Sequence, residues 1–138
     1  MPLFEQVLDK YPDSVKVVFK HYPLSFHEQA LPAALASMAA AKQGKFWEYH
    51  DELFIDQKSL DQKKYLEIAE NLGLDLKKFS LDMMRPSLRQ KIEQDVAEAK
   101  KAGVTGTPTI FVNGRKVKNR GIAAISKLID EELADGNN

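Results

Sequence analysis

The sequence predicts an α/β fold interrupted by a helical insertion, and three observations predict it. Apolar residues recur at helical spacing at both ends of the chain. Two short β-branched and aromatic runs, Val15–Phe19 and Thr109–Val112, have the composition of strands with both faces buried. The long stretch between them reads as nearly all helical.

The first helix carries Leu3, Phe4, Val7, Leu8 and Tyr11 on one side and Glu5, Gln6, Asp9 and Lys10 on the other, with Pro2 suited to its first turn. Tyr11-Pro12-Asp13 ends it, the strand Val15–Phe19 follows, and Pro23 closes that strand. Ser25 and Glu28 are spaced as a capping box. Pro32 fits a first turn ahead of the alanine-rich run Ala33 to Ala41, whose small side chains permit close helix packing, and Gly44 is placed as a C-cap.

Phe46, Trp47, His50, Leu53 and Phe54 mark the apolar side of the next helix. Tyr65, Ile68, Ala69 and Leu72 mark another, stopped at Gly73. Asp75 is placed to cap a short helix carrying Leu76, Phe79 and Met83. Pro86 interrupts, and Ser87 is placed to cap a long helix with Leu88, Ile92, Val96 and Ala99 on one side. Trp47 and the pair Met83-Met84 are expected in the core.

The segment Gly103-Val104-Thr105-Gly106-Thr107-Pro108-Thr109-Ile110-Phe111-Val112-Asn113-Gly114 is the densest in instruction. Pro108 lacks an N–H and suits the first position of a strand. Asn113-Gly114 is a strong type I′ hairpin signal, since both central residues need positive φ, and Arg115–Lys118 returns as a more exposed strand. Ile122, Ile125, Leu128, Ile129 and Leu133 give a last amphipathic helix before a polar tail, Asp135 to Asn138.

The chain has 138 residues, 43% of them hydrophobic, enough for one domain with a sizeable core. Twenty basic and twenty acidic residues cancel, and no basic stripe stands out, so neither nucleic acid nor an anionic membrane is expected as a partner. No apolar run reaches the length of a membrane span, and the N-terminus lacks the regions of a signal peptide. There is no cysteine, which removes disulfides, thiolate metal sites and thiol nucleophiles together.

His21, His27 and His50 are too scattered to suggest a metal set, and the neighbours Asp51-Glu52 point different ways on a helix. Lys63-Lys64 and Lys100-Lys101 read as solvated helix faces. No catalytic residue, cofactor or metal is expected.

In their order along the chain, Gln43-Gly44-Lys45-Phe46-Trp47-Glu48-Tyr49-His50-Asp51 and the segment Gly103–Gly114 resemble the DsbA-like branch of the thioredoxin superfamily, the thiol:disulfide oxidoreductases and disulfide isomerases. The resemblance covers nearly the whole chain. It implies a four-stranded core sheet, with residues 1–24 and 103–138 as core parts and 25–102 as the helical insertion. It also implies a cis Thr107–Pro108 bond, and a substrate loop of Gly106, Thr107 and Pro108 whose backbone pairs with extended or unfolded polypeptide.

The chain departs from that family in one contiguous block. The family's first core strand and its Cys-x-x-Cys motif precede the helix that here begins near Pro2, and both are missing. No other group in such a fold replaces the thiolate, so the chain as it stands is not expected to exchange disulfides. The missing strand lies between those matching Val15–Phe19 and Thr109–Val112, so either these close on each other or the chain self-associates across the gap, with dimerisation the favoured expectation.

Three functional readings follow. The first is the bulk of a redox enzyme cut short at its N-terminus, with Cys-x-x-Cys in an upstream coding stretch and, by resemblance, a periplasmic location. The second is a cysteine-free module that holds polypeptide or dimerises. The third and weakest is a kappa-type glutathione transferase.

Overall fold

The computed structural model describes residues 2–136. In chain order the elements are α1 (Pro2–Lys10), α2 (Ala30–Ala41), α3 (Phe46–Ile55), α4 (Gln62–Asn71), α5 (Leu76–Met83), α6 (Pro86–Lys101), β1 (Phe111–Val112), β2 (Arg115–Lys116) and α7 (Ile122–Gly136). The described residues fall into two compact units: Lys20–Gly103, and a terminal unit made of the residues up to Phe19 and those from Val104 onward.

The helical unit is organised on α2, which packs against α3, α4, α5 and α6. Ala36, Ala39 and Ala40 are fully buried, and their small side chains let the neighbouring helices approach closely enough to enclose Tyr49, Tyr65 and Phe79. Both tyrosine hydroxyls are satisfied inside this core. Tyr49 donates to the Tyr65 carbonyl at 2.9 Å, and Tyr65 donates to Gln29 Oε1 at 2.7 Å. Burial, reinforced by the Asp61 charge, pushes the Tyr65 phenol up to about 12.

Local signals set most of the helix ends. Asp61 and Asp75 accept from the backbone N–H groups of Lys64 and Lys78, capping α4 and α5. Gly44 and Gly73 hold positive φ, and the paired bonds Lys45 N–H to Ala40 and Gly44 N–H to Ala41 form a Schellman motif; Leu74 to Ala69 and Gly73 to Glu70 repeat it. Two expected caps are not used. α2 starts at Ala30 behind Gln29, leaving Ser25 and Glu28 in the preceding turns, and α6 starts at Pro86 rather than behind a Ser87 cap. In α6 the fixed φ of proline at the first position is already suited to a helix.

The expectation that Trp47, Met83 and Met84 are core filler holds for Met83 and is corrected for Trp47 and Met84. Met83 packs partly buried against the core, but Met84 is 81% exposed at the end of α5 and Trp47 is 42% exposed on α3. Helical spacing places residues on a face, but it does not say how much of that face a neighbour covers.

In the terminal unit, α7 packs against α1 and β1. Val7, Tyr11, Val117, Ile125 and Ile129 form its core, joined by Ile110 and Val112. The Tyr11 hydroxyl fastens α1 to α7, donating to Asp130 Oδ1 at 2.6 Å. The helix α7 continues through Asp135 and Gly136, which were expected in the tail; Asn137 and Asn138 lie outside the described residues.

The sheet differs most from expectation. Among the described residues it holds two antiparallel strands, β1 and β2, with Phe111 opposite Lys116 and Val112 opposite Arg115. Val15–Phe19 forms no strand, and closure onto Thr109–Val112 does not occur. A strand exists only as part of a hydrogen-bonded ladder, and among the described residues no neighbouring strand pairs with Val15–Phe19. The same absence corrects the burial of Thr109–Val112: Ile110 and Val112 face the core, while Phe111, on the other face, is 37% exposed.

Candidate functional site

The hairpin and its entry form the best-defined candidate. Asn113 has φ 46° and Gly114 φ 82°, the two positive values a type I′ turn requires, so the two-residue loop fixes the register of β1 and β2. The Val117 N–H donates to the Ile110 carbonyl at 2.8 Å, carrying the pairing one step beyond the strands. Arg115 holds the returning strand to α7 through Glu131 at 2.8 Å. The hairpin is therefore braced from both sides.

That brace positions the segment just before it. The Thr107–Pro108 bond is cis. Thr107 and Pro108 are exposed and Gly106 is half-buried, so all three sequence-predicted site residues lie together at the mouth of the hairpin. Thr109 Oγ1 donates to the Gly106 carbonyl at 2.7 Å, and Arg120 donates to the Pro108 carbonyl at 3.4 Å. These bonds tie the residues on either side of Thr107, which itself is exposed.

The loop offers backbone groups and a hydroxyl but no nucleophile. The chain has no cysteine, and among the described residues no cluster of three or more histidine, cysteine or acidic side chains is arranged for a metal.

The histidines are less scattered in space than in sequence. His21 and His50 both pack around Phe46, with ring centroids 6.1 and 5.8 Å from it, while His27 stacks on Phe26. Sequence reasoning missed Asp95, a buried carboxylate on α6. It accepts from the His21 backbone N–H at 3.0 Å and pairs with Lys91 at 2.9 Å. The Lys91 ammonium is held above its usual range by the hydrogen bond to Asp95 and by that carboxylate's charge. The spacing of Lys91 and Asp95, four apart on a helix, was the available signal, but nothing in it marked which of many such pairs is buried.

A two-stranded hairpin entered through a cis-proline, packed on a helix and combined with a helical unit, defines a thioredoxin-like fold with a helical insertion. The thioredoxin family model matches residues 2–131, and the chain belongs to that family. A thioredoxin-like oxidoreductase from Silicibacter pomeroyi superposes with a TM-score of 0.82 at 27% identity, over 97% of this chain and 77% of that one. The oxidoreductase DsbA from Xylella fastidiosa shares the fold with a TM-score of 0.70 at 21% identity, over 96% of this chain and 79% of that one.

Relatives in sequence include two proteins named as Na(+)/H(+) antiporters NhaA. That of Herminiimonas arsenicoxydans is 37% identical over 108 residues, 78% of this chain and 17% of the relative. That of Salinispora tropica is 43% identical over 116 residues, 83% of this chain and 18% of the relative. The chain thus spans less than a fifth of the length of these relatives. Among the described residues, no helix is long and apolar enough to cross a membrane.

Proposed function

We propose that this chain is the polypeptide-holding part of a DsbA-type thiol:disulfide oxidoreductase or disulfide isomerase, and that on its own it exchanges no disulfides. The observation that carries this reading is the loop with Thr107 and Pro108 exposed beside the hairpin, in an oxidoreductase-like fold without cysteine. Thiol–disulfide exchange begins with attack by a thiolate, and no side chain in these 138 residues supplies one. The loop pairs its Thr107 backbone with an extended client, and a Cys-x-x-Cys outside this stretch does the chemistry. Residues 25–102 serve as the helical insertion, and the periplasm is the compartment that goes with this reading. The antiporter relatives, matched over a small share of their length, favour a unit that also works within larger polypeptides.

The test pairs activity with binding. The isolated chain should reduce insulin disulfides no faster than dithiothreitol alone, yet bind a reduced and alkylated client protein. Thr107→Arg, which projects a bulky charged side chain from the exposed loop, should weaken that binding by about tenfold, or 1.4 kcal/mol. Insulin reduction above background overturns the inactive part of the reading, and failure to bind the client overturns the holding part.

A second reading, a cysteine-free module that self-associates, is favoured by Val18 and Phe111, 61% and 37% exposed in the terminal unit. Sedimentation of a dimer that Phe111→Ser dissociates supports it; a monomer at high concentration excludes it.

A further inference from the structure

The helical unit carries an open groove that the loop reading does not use. One wall is the irregular segment running from Pro23 into the start of α2, the other is one face of α6, and together they bound about 550 Å³. That lies within the roughly 300–1,000 Å³ typical of ligand sites. Arg89, Ile92, Val96 and Lys100 line the α6 wall at i, i+3, i+7 and i+11, so this wall is a single stripe along three turns.

The middle of the groove is apolar. Leu24 and Leu31 line it together with Ile92 and Val96. Phe26 extends this surface at the lip: it is 75% exposed and packs on His27, which lines the groove, with ring centroids 4.5 Å apart. An apolar floor beside an exposed aromatic ring favours an occupant that brings apolar side chains.

The charges decide which kind of occupant that is. Arg89 and Glu93 pair with each other at 3.7 Å, so the first end of the α6 wall is balanced. Lys100, at the other end, and Glu28, on the opposite wall, are exposed, and among the described residues neither side chain has an ion pair or hydrogen bond. A fatty acid or a phosphate gains from Lys100 but is repelled by Glu28. A polypeptide brings apolar side chains and charges of both signs on one backbone, and so matches all three features.

From this groove we infer a second polypeptide site, on the helical unit, for an extended segment with an aliphatic side chain over Leu31, Ile92 and Val96, an acidic side chain for Lys100 and a basic one for Glu28. From Arg89 to Lys100 the stripe runs about 16 Å, which an extended chain covers in about five residues. The apolar contact supplies most of the affinity, and the two exposed charges select among segments. This deepens the polypeptide-holding reading and rests on it, on a surface separate in sequence from the Thr107 loop.

The probe is a fluorescein-labelled, cysteine-free peptide with central leucines, glutamate on one side and lysine on the other, followed by anisotropy with the full chain. Replacing its leucines by serine should weaken binding about tenfold, and replacing its glutamate by lysine about threefold. Ala97 is exposed on the α6 wall, so Ala97→Arg should block the groove and raise the Kd about tenfold with unchanged helical circular dichroism. Gln94→Arg, exposed on α6 but outside the groove, should leave binding as it is. Lys100→Glu should reverse the preference between the glutamate peptide and its lysine counterpart.

Equal effects of Ala97→Arg and Gln94→Arg, or saturable binding of dodecanoate with none of the peptide, overturn the inference. Client binding that Thr107→Arg abolishes and Ala97→Arg leaves intact also overturns it while leaving the loop reading in place. The converse pattern keeps the groove and removes the loop.

Discussion

The helical unit and the terminal unit are held together in different ways. Around α2 the large side chains are fully enclosed, and both buried tyrosine hydroxyls have partners within the same unit. The terminal unit has a smaller core; both units also carry exposed large apolar side chains outside their cores, such as Val18 and Phe111 in one and Phe26 and Ile55 in the other. A helix satisfies its backbone within itself, so a bundle of helices is complete once its apolar faces meet. A strand borrows its hydrogen bonds from neighbours, so where neighbours are few the sheet is small, here two strands among the described residues. The contrast between the units therefore lies in how each satisfies its backbone.

This contrast is tested most strongly by Phe79→Ala. Phe79 is fully buried in the helical core beside Tyr49, and its loss should cost about 3–5 kcal/mol in chemical denaturation. A cost below about 1 kcal/mol would mean that this core is not tightly packed. In the terminal unit, Ile129→Ala should cost about 2 kcal/mol, the low end for such truncations, because fewer buried neighbours surround it. If the two costs come out equal, the cores of the two units are equally well packed and the difference between them lies in the sheet. Gly114→Ala is smaller again. With φ at 82° it places a Cβ in the left-handed region, at a cost of roughly 1–2 kcal/mol, and amide exchange across β1 and β2 should rise with it.

Much of the fold was legible because its signals are local. Asp75 caps α5, Gly44 and Gly73 end helices, and Asn113-Gly114 turns the hairpin, each through chemistry confined to a few residues. The place of Gly106, Thr107 and Pro108 beside the hairpin was legible for the same reason, while their role as a site came only from the resemblance. What was not legible depends on partners distant in sequence. Val15–Phe19 has a strand's composition, but composition does not supply the neighbour that would make it one. Trp47 and Met84 sit at helical spacing, yet their exposure depends on which helix lies opposite. Asp95 looks like any surface partner of Lys91 until the chain at His21 folds over it.

The smallest expected effect concerns that last contact. His21 is buried, and burial lowers its pKa below the usual 6.5; the Asp95 charge opposes this, while Lys91 and His50 reinforce it. Because the folded imidazole resists protonation and the unfolded one does not, the unfolded chain binds more protons below pH 6.5. The contribution is thus fully present above 6.5 and is lost as pH falls from there through the folded value. Lys91, whose ammonium is held above its usual range by the hydrogen bond to Asp95, keeps its charge across this window and adds no step of its own. Denaturation midpoints measured at about pH 7.5 and 5.5, on either side of the histidine range, should fall on acidification in the wild type, and His21→Gln should reduce that fall. If His21→Gln leaves the fall unchanged, His21 does not carry it. A wild type that gains stability on acidification relative to the variant would mean that the pull of Asp95 outweighs burial, and that the helical core is more tolerant of charge at this point than its enclosure of Tyr49 and Phe79 implies.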